Sequence, residues 1–407
     1  MDTGFARSHF PGLNSDWIFM DNAGGSQIAK PVLDRMLEYY TTSNVQLGAS
    51  YQPSVVATSR VAEGQRIMAE YVNAPDPASV VMGSSTTLLL RILAWNLGRW
   101  FPKGSEIIVT DCDHEANIGC WRELEKSGFI MKTWRINQET FTLEAGDLEK
   151  LMSRQTRLVA FTHASNLIGT VHPVKELTAM IHARGALVCI DGVAFAPHRM
   201  IDVKEWDVDF YVFSLYKTYG PHYALLYGKK EILLELPGNN HYFIGKDQSP
   251  YKFQPGHVNF EFAWGMTGLP EYFERLCRHH FPDSPGPGSR EGLKQVFSLI
   301  ENHEHELSAR LLDFLRSKRD VRIIGQKEAT GTRLPTISFV SGERDSEEVV
   351  RQVDLSRIGI RFGDFYARRL VEALRLEGQN GVVRVSMVHY NTLEEVDRLI
   401  EALDRVI

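Results

Sequence analysis

The chain is constrained most by a series of short apolar runs that alternate with helical stretches. Residues 79–82, 106–110, 157–162, 186–190 and 210–213 are rich in apolar and β-branched side chains, and each run gives way to polar residues. Between the first two lies LLLRILAWNLG, helical in composition and ending at a glycine, and a second helix is expected through Trp121 and Leu124. Strands that are apolar along their whole length are buried on both faces, as in a parallel sheet covered by helices. The expected class is α/β, with a mostly parallel central sheet sandwiched by helices.

The flanking regions have a different texture. An arm leads into a short strand at 17–20 and the glycine turn DNAGGSQ; helices are expected at 30–40, where Pro31 suits a first turn, and at 54–72. A later helix at 270–280 runs into PDSPGPGS, which can hardly be regular structure. A long amphipathic helix at 291–315, strands at 336–340 and 382–386, and the helically spaced TLEEVDRLIEALDRVI complete the chain. The expected organisation is a large α/β domain over 20–268 and a smaller α+β domain made of 1–19 with 269–407.

Composition excludes several partners. With 45 Lys and Arg against 51 Asp and Glu the formal charge is -6, and no basic tract is present, so neither nucleic acid nor anionic lipid is implied. No run approaches the ~20 apolar residues of a membrane span. MDTGFARSHF lacks the basic flank and apolar stretch of a secretory signal, and a cytoplasmic protein is expected. Cys112, Cys120, Cys189 and Cys277 fit neither a disulfide framework nor a zinc-ligand spacing, so no metal site is suggested.

Open α/β sheets bind ligands outside the carboxyl ends of their strands. After the first run come Gly83, Ser84, Ser85, Thr86 and Thr87, directly before a helix. The free N–H groups and dipole of a helix N-terminus favour a phosphate, although serine and threonine are also ordinary caps. Asp111, Cys112, Asp113 and His114 follow the second run, His163, Ser165 and Asn166 the third, and Asp191 the fourth. The fifth, DFYVFSLYKTYG, turns polar at Ser214 and reaches Lys217 on a short loop stopped by Gly220 and Pro221. A lysine there can form a Schiff base if burial or a neighbouring cation lowers its pKa; it can equally be a surface residue after a strand.

Together a phosphate cradle, an imidazole, an amide, a carboxylate and an amine are what pyridoxal phosphate (PLP) needs. The carboxylate keeps the pyridine nitrogen protonated, which makes the ring an electron sink. A dinucleotide site has less support, because no G-x-G-x-x-G follows a strand and G-x-x-x-x-G-K-[ST] is absent.

The segments DHEANIGCW, THASNLIGTVHPVKEL, CIDGVAFAPH, DFYVFSLYKTYGP and VVRVSMVHYNT resemble the class V aminotransferase family. These are fold-type I PLP enzymes, among them cysteine desulfurases, selenocysteine lyase and isopenicillin N epimerase. The resemblance runs from Met20 to the last helix and is closest to the cysteine desulfurase-like subgroup. It implies PLP as cofactor, Lys217 as the Schiff-base lysine, Asp191 as partner of the pyridine nitrogen, His114 stacked on the ring and Asn166 at the phenolic oxygen. Ser85, with Ser84 or Thr86, and Ser214 would hold the phosphate. Arg384 matches the arginine for the substrate α-carboxylate, and Arg361 a second arginine near the substrate. A homodimer with sites at the interface is also implied, His257 taking the place of a threonine that reaches the partner's phosphate.

Departures from that pattern concern the reaction. Ala194 replaces a glutamine, Tyr216 replaces the histidine before the lysine, and Tyr366 stands where desulfurases carry the cysteine that accepts sulfur. Without a thiolate there is no nucleophile to take the sulfur. The expected activity is β-elimination from a substituted cysteine by a C–S lyase, which begins with loss of the Cα proton and needs no catalytic thiol. Tyr366, Tyr216 and His257 are then candidate general acids or packing residues. A class V aminotransferase or an epimerase would branch from the same first step. A PLP-binding protein without catalysis would have lost the lysine, aspartate or arginine, and all three are present.

Overall fold

The computed structural model describes residues 1–342 and 344–407. Its central sheet has seven strands in the order Val80–Gly83, Ala224–Gly228, Phe210–Ser214, Leu187–Asp191, Thr156–Thr162, Glu106–Thr110 and Ile130–Trp134. Ala224–Gly228 is antiparallel to both its neighbours, and the other pairs are parallel. The five apolar runs are all strands of this sheet.

Alternation along each strand divides the core between the two faces, as the two-residue period of a strand demands. Val159, Phe161, Val188, Ile190, Tyr211 and Phe213 join one apolar cluster, which includes Leu177 and Ile181 of the helix Val174–His182. Leu158, Ala160, Cys189, Phe210 and Val212 join another, with Leu89, Leu90, Leu93 and Leu97 of the helix Thr86–Trp100. Each large aliphatic side chain so buried contributes about 1.5–3 kcal/mol. A sheet covered on both faces leaves only its strand ends open to solvent.

A second sheet is antiparallel, in the order Arg361–Gly363, Val382–Ser386, Thr336–Ser341 and Val321–Ile324. Its core holds Leu307 and Leu311 of Arg290–Ser317, Val349 and Val353 of Ser346–Asp354, and Val396 and Leu399 of Leu393–Asp404. Thr392 and Glu395 form a capping box at the start of that last helix. The segment PDSPGPGS lies between Gly268–His280 and Arg290–Ser317, and its final serine, Ser289, caps the second helix by accepting from the Gly292 N–H. The segment is thus a connection that ends one helix and starts the next.

The N-terminal arm is tied into this second region. Ile18–Phe19 pairs in parallel with Ile358–Gly359. Just beyond, buried Asn22 donates through Nδ2 to Phe19 O at 3.0 Å, Ser386 O at 2.9 Å and Asn391 Oδ1 at 3.2 Å, and its Oδ1 accepts from the Tyr390 hydroxyl. Removing such a hub strands several buried partners. Asn22→Ala is expected to lower the unfolding free energy by about 2–4 kcal/mol, read as a lower urea midpoint at unchanged slope; an unchanged midpoint would show that the network carries no stability.

Candidate active site

Adjacent strands of the central sheet deliver polar groups side by side. Leu187–Asp191 ends on its aspartate, Thr156–Thr162 ends beside His163, and Phe210–Ser214 passes into a single 3-10 turn, Leu215–Lys217. Thr218 and Gly220 both donate backbone N–H groups to Leu215 O at 2.8 Å, folding the turn back on itself. The resulting cleft is lined by Ser85, Thr86, His114, Asn166, Asp191, Ser214, Tyr216 and Lys217, with Thr87, Ala116, Thr162, Ala164, Val193 and Ala194.

Lys217 is 8% exposed. Burial, helped by nearby Arg384 and opposed by Asp191, lowers its pKa from 10.5 to about 8. The surface reading of this lysine is therefore wrong. Asp191 is pushed up to about 6 by burial; its Oδ1 accepts from the Val193 N–H at 2.9 Å, and no side chain among the described residues donates to it. Burial, with the cations Lys217 and Arg384, holds His114 down at about 4, so its ring is neutral. His114 Nδ1 accepts from the Ala116 N–H at 3.0 Å, which places the ring proton on Nε2.

At the other end of the cleft Ser85 caps Thr86–Trp100, its hydroxyl accepting from the Leu88 N–H at 3.2 Å. Thr86 and Ser214 bring their hydroxyls to 2.7 Å of each other. Two hydroxyls beside a helix N-terminus form an anion site. A buried amine with no hydrogen-bonded partner among the described residues, a carboxylate held by one backbone donor and a neutral imidazole complete a set that fits PLP.

The second sheet brings a buried arginine up to Asn166. Arg384, 2% exposed, donates through Nη1 to Asn166 O at 3.0 Å and through Nη2 to Asp21 Oδ1 at 2.7 Å, and its guanidinium lies 3.7 Å from the Phe365 ring centroid. Its Nε is buried without a partner among the described residues. Asn166 Nδ2 donates to Phe365 O at 2.9 Å. Asp21 escaped the sequence reading, since DNAGGSQ looks like any glycine turn and the contact spans 363 residues.

Other expected residues sit apart. Ser84 is exposed and outside the cleft, because the cap falls on Ser85. His257 is exposed and 3.4 Å from Gln46, away from the cleft of its own chain. Arg361 is half-exposed, 3.7 Å from Asp21. The Tyr366 ring is 69% exposed and 5.1 Å from that of His114, while its carbonyl accepts from the Glu115 N–H at 2.7 Å. Tyr216 lines the cleft and stacks on His222, a neighbour with no mark in the sequence.

A sheet of this order with an amine, a carboxylate and a phosphate cradle at its carboxyl edge defines a PLP-dependent enzyme of fold type I. The aminotransferase class-V family model matches residues 18–276 and 292–399, passing over the stretch that contains PDSPGPGS, and the chain belongs to the class V aminotransferase family. It is 39% identical to an aminotransferase-like protein of Gibberella zeae, over 98% of this chain and 97% of that protein. It is 31% identical to a cysteine desulfurase-like protein of Aspergillus flavus, over 100% and 91%. Among solved structures, a cysteine desulfurase of Thermococcus onnurineus superposes with a TM-score of 0.87 at 26% identity, covering 99% of this chain and 98% of that one.

The lowered pKa of Lys217 has a direct readout. Only the neutral amine reacts with acylating reagents, so modification of Lys217 in cofactor-free protein should rise with pH through a midpoint near 8. A midpoint near the ordinary 10.5 would show that burial does not tune this amine.

Proposed function

We propose that the protein is a PLP-dependent lyase that expels a sulfur leaving group from the β-carbon of a substituted cysteine. The observation that carries this reading is the absence of a usable thiol: all four cysteines are buried and none lines the cleft, while the Tyr366 ring lies 5.1 Å from that of His114, which does line it. A family of sulfur-acting relatives with no sulfur acceptor in this chain points to a reaction in which the sulfur simply departs.

When bound, PLP supplies the electron sink for negative charge at Cα. Lys217 would bond the cofactor and then, as an amine, take the proton from Cα. Asp191 would keep the ring nitrogen protonated, and neutral His114 would cover the ring face without adding charge. Ser85, Thr86 and Ser214 would fix the phosphate at the helix N-terminus, and Arg384 would hold the substrate α-carboxylate so that the Cα proton faces Lys217. Tyr366 or Tyr216 would give the departing sulfur its proton.

The proposed assembly is a cytoplasmic homodimer. His257, away from its own cleft, would serve the partner's phosphate, and exposed Tyr242 and Phe243 would be covered there. The PLP-holding region would be a domain over 20–268, with 1–19 and 269–407 as the smaller one. Transamination is the second reading, favoured by the 39% identical aminotransferase-like relative.

Purified holoenzyme mixed with S-substituted cysteines and cysteine sulfoxides should release pyruvate and ammonia, and Lys217→Ala should abolish both the visible absorbance and the release. Tyr366→Phe should lower kcat by about 10- to 100-fold if its hydroxyl protonates the leaving group. Bleaching to the pyridoxamine form without pyruvate would overturn elimination in favour of transamination.

A further inference from the structure

Two guanidinium groups and one carboxylate meet beside Asn166, which lines the cleft. Arg361 and Arg384 lie directly opposite each other on neighbouring antiparallel strands. Their side chains therefore leave the sheet on one face, with Cβ atoms about 5 Å apart. Asp21 stands between them: Oδ1 is 2.7 Å from Arg384 Nη2, and Oδ2 is 3.7 Å from Arg361 Nη1. Asp21 is also held in place, since its residue bridges Ser386 and its neighbour is the buried hub Asn22. Gly24 leaves the space it needs, because a Cβ there would lie 2.7 Å from Asp21 Oδ2.

The donors of Arg384 are unequally used. Nη1 is taken by Asn166 O, Nη2 bonds Asp21, and Nε is buried with no partner among the described residues. A carboxylate gripped bidentately would lie along the edge made by Nε and Nη2. Asp21 occupies half of that edge, and its second oxygen already faces Arg361. An arriving α-carboxylate can take the edge while Asp21 swings its pairing to Arg361. Two cations would then be balanced by two anions, one brought by the substrate and one resident.

We infer that Asp21 is a specificity-determining residue: it fills the place of a second substrate anion, so the site takes amino acids with uncharged side chains and rejects those with a side-chain acid. This deepens the lyase reading, in which the substrate is a substituted cysteine, but depends only on the substrate being an α-amino acid. A side-chain carboxylate or sulfinate reaching Arg361 would meet Asp21, and like charges so placed oppose binding. The field of Asp21 is also felt at Lys217, where it counters the effect of both arginines.

The test uses carboxylates without an amino group, so it is independent of whether the enzyme eliminates or transaminates. Holoenzyme is titrated calorimetrically with propionate and with succinate. Wild-type protein should bind propionate and gain nothing from the second carboxylate of succinate. Asp21→Asn should favour succinate over propionate by about tenfold or more, Asp21→Glu should behave as wild type, and adding Arg361→Gln to Asp21→Asn should remove the gain. The isosteric Asp21→Asn should fold; if it does not, the wild-type ratio decides alone. Wild-type protein that binds succinate tenfold tighter, fails to bind propionate, or has a ratio unmoved by Asp21→Asn overturns the inference.

Discussion

Holding Lys217 in the interior without a partner is the constraint on which the rest depends. An ammonium taken from water is costly unless paired, and the usual outcome is a lowered pKa. Here the amine falls to about 8 while Asp191, buried beside it on the next strand, rises to about 6. The two groups are brought far closer in proton affinity than they are in water, which suits a site that must pass protons at neutral pH. The two-faced apolar core offsets this expense. Strands that bury every side chain can carry a polar group at their ends without losing their place.

Asp113 shows how the ends themselves are held. It accepts from Thr110 Oγ1 at 2.6 Å, Asn117 Nδ2 at 2.6 Å and the Thr162 N–H at 3.1 Å, joining the ends of two adjacent strands to the helix Ala116–Arg122. Burial outweighs these donors and, with Asp191 nearby, leaves its pKa at about 7. His114 follows it directly in the chain, so the ring's position is set by a neighbour that does not line the cleft.

The sequence was legible where one physical rule dominated. The five apolar runs could only be buried strands, and the residues after them had to meet at one edge, so Lys217, Asp191, Asn166 and Thr86 were found without coordinates. Ile130–Trp134 was missed because it is an edge strand whose IMKTW is only partly buried, and Ala224–Gly228 because nothing local marks an antiparallel return beside the lysine turn. Ser84 and Ser85 could not be told apart until the cap was seen. Arg384 was visible only through its family pattern, and Asp21 not at all, since pairing across 363 residues leaves no trace in spacing.

The four cysteines have a practical consequence. All are buried, and burial pushes the thiols of Cys112, Cys120 and Cys189 upward, away from the reactive thiolate. A catalyst so built presents no exposed thiolate for air or thiol-alkylating agents to consume. A cysteine introduced at an exposed position such as Leu355 would then be the single thiol available for a dye, which makes the native chain a background-free host for fluorescence measurements of its own assembly.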